Sequence, residues 1–505
     1  MNSYVKAPDE ISLSSILEKE YSLSSSQYKE LCISNKNLLY VKDFLDRNLQ
    51  RKDLGEEVGS LNYISQSTHY FIRTKALQEH SYLPEITNET AVPIMPSSFV
   101  KMDLKEGDLI ISKDSNIGEI VILDKDYPNY MLSGALYKLP VSEHKYYLLA
   151  FTKHPIFREQ LDFIVPKGAT IRHAKTLFLD CKIPLPNHNK ENTIKFIEIL
   201  TQAIINKEKL IKQRHQAILE NIEKELLDNQ LPNQFEYSLP TISEIEEVGR
   251  LDTGLYSKEF KEFDHIVKNY KYGVCNFLEL NNGKVNITRG QNLQESNIGK
   301  SIYSEKYTKK FYRLCLSKQF TEYHTIDSFT YVGNSNKLKE IKKGEIVFSC
   351  RGDMGRSIIF CEEISRTITN IDNVHISFEE QSLYKTIFIN EFLFFLRHKG
   401  YIKNISITGS GADSFTIYQF ELINIPNFPE QKQKEIAKLY HNSEINYPCK
   451  EFTLDNFLEK DAIYNEQAGI YELDKTAKQL KDILNKAIEN IINDKQVEIS
   501  FKPQG

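Results

Sequence analysis

At 505 residues, with 40% hydrophobic content, 28 Phe and 28 Tyr, the chain has material for about three domains with substantial cores. Its net charge of −5 does not mark it as a nucleic-acid binder, and no window nears 18 uninterrupted apolar residues, which excludes a membrane-spanning helix. Seven scattered cysteines (32, 181, 275, 315, 350, 361, 449) without a CxxC pair exclude a zinc or disulfide framework and read as reduced, mostly buried thiols.

Residues 1–36 read as a leader. The opening MNSYVKAPDEIS lacks a basic-then-apolar signal segment, so a cytoplasmic location is expected. Within the leader, YSLSSSQYKEL (21–31) loosely matches YSKEFKEF (256–263) further on. The dominant signal follows: LKEGDLIISKDSNIGEIVI (104–122) recurs as IKKGEIVFSCRGDMGRSII (341–359). Each has a Gly, an acid, an apolar run, a polar Ser-centred loop, a second Gly and a second apolar run, which predicts two strands joined by a tight loop. Gly107, Gly118, Gly344 and Gly355 are expected to be turn residues with positive φ. Ahead of each unit stands an Arg–x–x–x–Leu segment, IRTKAL with Arg73 and TRGQNL with Arg289. Behind each stands a Gly-containing turn and an Ile-Pro exit, KGATIRHAKTLFLDCKIPLP (167–186) and GSGADSFTIYQFELINIPNF (409–428). Residues 144–163 and 388–404 read as helical, so each copy is a mixed domain. The period of about 240 residues is far too long for a solenoid and indicates domain duplication.

Residues 190–228 predict a long helix. Ile197, Ile204, Ile211 and Ile218 recur every seven residues, and no Gly or Pro interrupts them before Pro232. The rest of that helix is Lys, Glu, Gln and Asn. A C-terminal helix starts at EQKQKEIAKLYH (430–441), and 475–494 carries Leu480, Ile483, Leu484, Ala487, Ile488 and Ile491 at helical spacing. Antiparallel pairing of these segments with the central helix as a coiled coil is the expectation. The fold class is therefore α+β: two pseudo-repeated mixed α/β domains, 1–187 and 233–428, a spacer helix 188–232, and a helical region 429–505 with an insert at 443–474.

This layout resembles the specificity subunit of Type I restriction-modification enzymes. The resemblance rests on KEGDLIIS and KKGEIVFS with their paired glycines, the turns GAT (168–170) and GSGADS (409–414), and the exits KIPLPN and NIPNFPEQKQKEIAKL. KFIEILTQAIINKEKLIKQRHQAILENI looks like that family's spacer helix. NHNKEN stands where Glu-Gln would follow the first exit, and the second exit reads IPNF. The resemblance implies two target-recognition domains that read an asymmetric two-part site on double-stranded DNA. It also implies methyltransferase subunits that supply S-adenosylmethionine chemistry, and a restriction/translocase subunit using ATP and Mg. No cofactor and no membrane are expected for this chain.

Catalytic motifs are sparse. There is no [N/D]-P-P-[Y/F] tetrapeptide, Walker A loop, HExxH or nucleophile elbow. ITGSG (407–411) reads as a turn, and Asp327 with Glu340 and Lys342 only mimics a nuclease core. An enzyme with an unrecognised active site, or a protein-binding scaffold, are the alternatives. Residues 265–356 carry 16 Lys/Arg against 8 Asp/Glu, a basic stripe that could meet phosphates. Base reading needs polar side chains on exposed loops. The candidates are Lys113, Asp114, Ser115 and Asn116 in the first loop and Arg351, Asp353 and Arg356 in the second. Arg73 and Arg289 are expected at matching upstream places, with Arg172, His173, Ser410, Asp413 and Ser414 in the later turns. The loops differ, KDSN (113–116) set against RGDM (351–354), so the two copies should read different bases.

Overall fold

The computed structural model describes residues 3–18, 21, 23, 28–165, 174–251, 253–406 and 414–502. The chain is a mixed α/β protein whose contacts divide it into two compact units. The first comprises 1–210, 446–466 and 473–505; the second comprises 211–445 and 467–472. Among the described residues, no helix is long and apolar enough to cross a membrane. The seven cysteines are free thiols, four of them buried.

In the first unit Leu109–Ser112 pairs antiparallel with Ile120–Ile122 on one side and Leu136–Leu139 on the other. A second sheet sets Tyr70–Ile72 antiparallel to Ala91–Pro93 and parallel to Tyr130–Leu132. The second unit repeats this plan. Ile346–Ser349 lies between Ser357–Ile359 and Asn373–Phe378, and Tyr312–Cys315 runs parallel to Thr367–Thr369 and antiparallel to Thr330–Gly333. The exits also match: Lys182–Pro184 pairs with Leu38–Tyr40, and Asn424–Pro426 with Val274–Asn276. Helices Lys145–Lys153 and Pro155–Ile164 answer to Leu383–His398 and Tyr401–Ile405.

The four repeat glycines hold φ of +84, +80, +80 and +77°, the left-handed region where a Cβ is strained. At Gly118 there is a packing reason as well, since a Cβ would fall 2.1 Å from Leu161 Cδ1. A side chain there would force the Leu161 side chain of the packed helix to shift.

Of the first leader segment, residues 22 and 24–27 lie outside the described residues. Glu30–Leu31 is a strand paired with Val5–Lys6, whereas Lys258–Lys268 is a helix capped by the Ser257 hydroxyl.

The central helix spans Lys190–Asp228, and every heptad isoleucine on it is buried. Its residues up to 210 belong to the first unit, where the helix Ile470–Ile492 packs against it from 473 onwards. The two run antiparallel: Asn187 donates to Asp494 at one end, and Lys481 pairs with Glu208 at 2.8 Å further along. The polar side of the central helix is not wholly solvated. Lys207 is fully buried, its ammonium 2.7 Å from Asp461 and 2.6 Å from Asn465 Oδ1. The Tyr447 hydroxyl donates to the same Asp461 carboxylate at 2.7 Å. The expected insert thus contains the helix Phe457–Gln467, and its residues 446–466 are fastened into the first unit's core. Residues 211–228 belong to the second unit, where Lys432 of helix Glu430–Tyr440 donates to Asn221 at 2.9 Å.

Candidate nucleic-acid interface

Each hairpin loop is built on one hydrogen-bond frame. The buried Ser112 hydroxyl donates to the Asp114 carbonyl, as the buried Ser349 hydroxyl does to the Arg351 carbonyl. The Gly118 amide donates to the Ser112 carbonyl, and the Gly355 amide to that of Ser349. A serine in each copy therefore replaces missing ladder bonds at the loop mouth.

That frame fixes the alignment of the tips, with a constant displacement from Ser112 to Ser349. Lys113 corresponds to Cys350, Asp114 to Arg351, Ser115 to Gly352 and Asn116 to Asp353. Setting KDSN against RGDM is thus corrected by one residue. The slip has a physical origin: Ser115 (φ +58°) takes the left-handed position that Gly352 (φ +70°) takes in the second copy, so the turn glycine has no glycine counterpart.

Strand pairing also overturns the match of Arg73 with Arg289. Arg73 follows the strand Tyr70–Ile72, and the same place after Tyr312–Cys315 is Leu316. Arg289 ends the strand Val285–Arg289, and the Gly290 amide donates to Asn373. In the first copy the Gly55 amide donates to Leu136, the equivalent of Asn373, which makes Leu54 the counterpart of Arg289. An Arg–x–x–x–Leu spelling recurred in two different structural places.

The second copy gathers two exposed arginines. Arg289 Nη1 donates to the Ile371 carbonyl at 3.3 Å, and Arg351 Nη1 stands 3.5 Å from Asp372. Both guanidiniums flank buried Cys350, whose thiol is pushed up to about 12 by burial and so is no nucleophile. Arg351 is also bridged through its backbone to Ser414, which draws the later turn to the loop. The first copy repeats that backbone contact, with the Ala174 amide donating to the Lys113 carbonyl. Arg172, His173, Ser410 and Asp413 lie outside the described residues.

The first copy's tip is different in charge. Lys113 and Asp114 are both largely covered and pair with each other at 2.7 Å. Ser115 and Asn116 are exposed, and Asn116 Nδ2 is 3.4 Å from the Leu77 carbonyl, which brings the loop beside the segment led by exposed Arg73. Thus Leu54 and Asp114 occupy the places of Arg289 and Arg351.

Arg356 is turned inward. It is 18% exposed, donates to the Phe320 carbonyl at 2.7 Å and pairs with Glu322, which Arg397 also holds at 2.8 Å. Burial alone would raise the Glu322 carboxyl, but the two guanidiniums outweigh it and hold it below the usual carboxylate range. Asp353 is exposed, 3.5 Å from Arg356. The first copy puts Glu119 at the position of Arg356 and pairs it with Lys153 and Arg158. One ion-pair site therefore appears with reversed sign in the two copies.

Among the described residues, no group of three His, Cys, Asp or Glu is placed to hold a metal ion. Glu340 accepts the Arg366 amide at 3.0 Å, and the Asp327 amide donates to the Gln319 carbonyl, two local backbone roles.

No family model and no curated protein matches the chain. Solved structures do. The specificity subunit of a Type I restriction-modification system from M. genitalium is 10% identical, at a TM-score of 0.41, over 90% of this chain and 95% of that one. A chain from a study of assembly and conformational transition in the type I system is 11% identical (TM-score 0.27), over 90% of this chain and 97% of its own length. The HsdS subunit from Thermoanaerobacter tengcongensis is 12% identical (TM-score 0.26), over 90% and 96%. Likenesses this slight assign no role, so function must be read from the chain's own duplicated geometry.

Proposed function

We propose that this chain is a non-catalytic DNA-specificity subunit of a Type I-like restriction-modification complex in the cytoplasm. Its two target-recognition domains read the two halves of an asymmetric duplex site. The observation that carries this reading is one hydrogen-bond frame bearing different chemistry in each copy: exposed Arg289 and Arg351 in the second, part-covered Leu54 and Asp114 in the first. A repeated enzyme active site would need to keep its reactive groups the same. A repeated reader needs the opposite, because each base pair presents its own donor and acceptor pattern in the major groove. Arg73, Lys113, Ser115, Asn116, Asp353 and Ser414 are further contact candidates, and Arg356 supports its loop from within. The long central helix sets the gap between the half-sites. Methyltransferase subunits bring S-adenosylmethionine, and a restriction/translocase subunit joins the same assembly.

The test is site selection by the complex formed with its methyltransferase subunits. Replacing Arg289 and Arg351 with Ala should relax base preference in one half-site only, by about 1–3 kcal/mol for each bidentate pair removed. Unchanged preference in both halves would remove these residues as readers.

A further inference from the structure

The outer sheet of the second unit has a full strand at an edge where the first, among the described residues, has a single antiparallel bridge, Tyr63 to Ile94. In the first unit that sheet has three strands, Ala91–Pro93, Tyr70–Ile72 and Tyr130–Leu132. In the second it has four, because Ile302–Ser304 is added beside Thr330–Gly333 as a free edge. The register Ser304↔Tyr331↔Arg313↔Thr367 places these four side chains on one face. The opposite face holds buried Tyr312, Leu314, Val332 and Ile368. On the Ser304–Arg313 side Thr367 is fully buried, whereas Ser304, Tyr331 and Arg313 are partly exposed. The connecting loop lies over that side: Tyr307 packs edge-on to Tyr331 at 5.6 Å and lies under the Arg313 guanidinium at 5.4 Å.

Charge concentrates on this added element. Residues 300–313 contain Lys300, Lys306, Lys309, Lys310 and Arg313 against one acid, Glu305. The four lysines are exposed, and none has an acidic partner among the described residues. Lysines often guard a free edge strand against aggregation. Here the strand itself remains apolar and open, with Ile302 67% and Tyr303 53% exposed, while the lysines sit in its flanks and loop. That pattern suits a polyanion lying along the loop better than a guarded edge.

We propose that this face, with loop 305–311, grips the phosphate backbone of duplex DNA. The inference rests on the DNA-reading role above and adds an asymmetry to it: the second unit carries more of the salt-dependent affinity. Tyr307 offers a hydroxyl donor to phosphate, and the lysines displace condensed counterions. At the places of Arg313, Tyr331 and Thr367 the first unit has Tyr70, Pro93 and Tyr130, an uncharged set in which the two Tyr rings stack at 4.8 Å.

The experiment is binding of the full chain to a mixed-sequence duplex across about 50–200 mM salt, comparing wild type with the variant K306A/K309A/K310A. The exposed substitutions should leave the thermal melt in place. The expected result is a slope of log affinity against log salt shallower by about 2–3, near 0.9 for each phosphate no longer neutralised. A triple variant that melts as wild type and keeps the wild-type slope overturns the assignment of this face but leaves the DNA-reading role standing. Loss of a protein partner without a change in slope also overturns it. Wild type that shows no salt-dependent duplex binding overturns the parent reading.

Discussion

Asp461→Ala should be among the most damaging single changes in the first unit. Lys207 is fully buried and Asp461 nearly so, and the carboxylate also takes the Tyr447 hydroxyl and the Asn465 amide. Removing it leaves the ammonium with Asn465 Oδ1 at 2.6 Å and the Tyr447 and Tyr464 rings at 4.8 and 5.2 Å. Uncompensated buried charges cost about 3–5 kcal/mol. A ceiling follows from chemistry: Lys207 can shed its proton, and doing so at neutral pH from an ordinary lysine value near 10.4 costs about 4.6 kcal/mol. Burial already holds that ammonium below the usual lysine range, with Asp461 opposing the shift, so the true ceiling is lower. A loss of about 3–4 kcal/mol is expected. Native-state hydrogen exchange over Phe457–Gln467 reads it as a fall in opening free energy. Two results should accompany it: partial recovery as pH rises and the lysine neutralises, and recovery to within about 1–2 kcal/mol when Lys207→Met is added. A single-variant loss under about 1 kcal/mol, or a double variant as damaged as the single, would refute the reasoning.

Gly118→Ala and Gly344→Ala share a left-handed backbone but differ in surroundings, for nothing lies within 4 Å of a Cβ at Gly344. The second should cost about 1–2 kcal/mol and the first about 1–3 kcal/mol more, read by denaturant midpoints. Buried His154 is pushed down to about 4 by desolvation from an ordinary 6.5. Between those values the unfolded chain binds the extra proton, so its contribution is complete above pH 6.5 and is lost as pH falls towards 4, by about 3 kcal/mol. Thermal melts should show that loss in wild type and a flatter profile in His154→Gln.

The repeat, the Ile-Pro exits and the long helices were legible because each has a local cause. A glycine at positive φ, a proline-terminated strand and a seven-residue stripe print themselves on neighbouring residues. What was illegible depended on pairing. Whether Arg73 answers to Arg289 or to Leu316 is decided by which strands lie side by side, and a four-residue spelling does not encode that. The inward turn of Arg356 needed Glu322 and Arg397, distant in sequence and brought together by the helix behind the loop. The burial of Lys207 was illegible because its partners Asp461 and Asn465 come from the far end of the chain. The edge strand Ile302–Ser304 was visible only as part of a basic stripe, since three residues carry little periodicity of their own.

The central claim is that two copies of one frame read two different DNA half-sites. Selection of bound duplexes from a random pool, using the full chain with its methyltransferase partners, tests it most directly. The account predicts a two-part motif whose halves differ and whose gap is constant. A single contiguous motif, two identical halves, or no enrichment at all would contradict it.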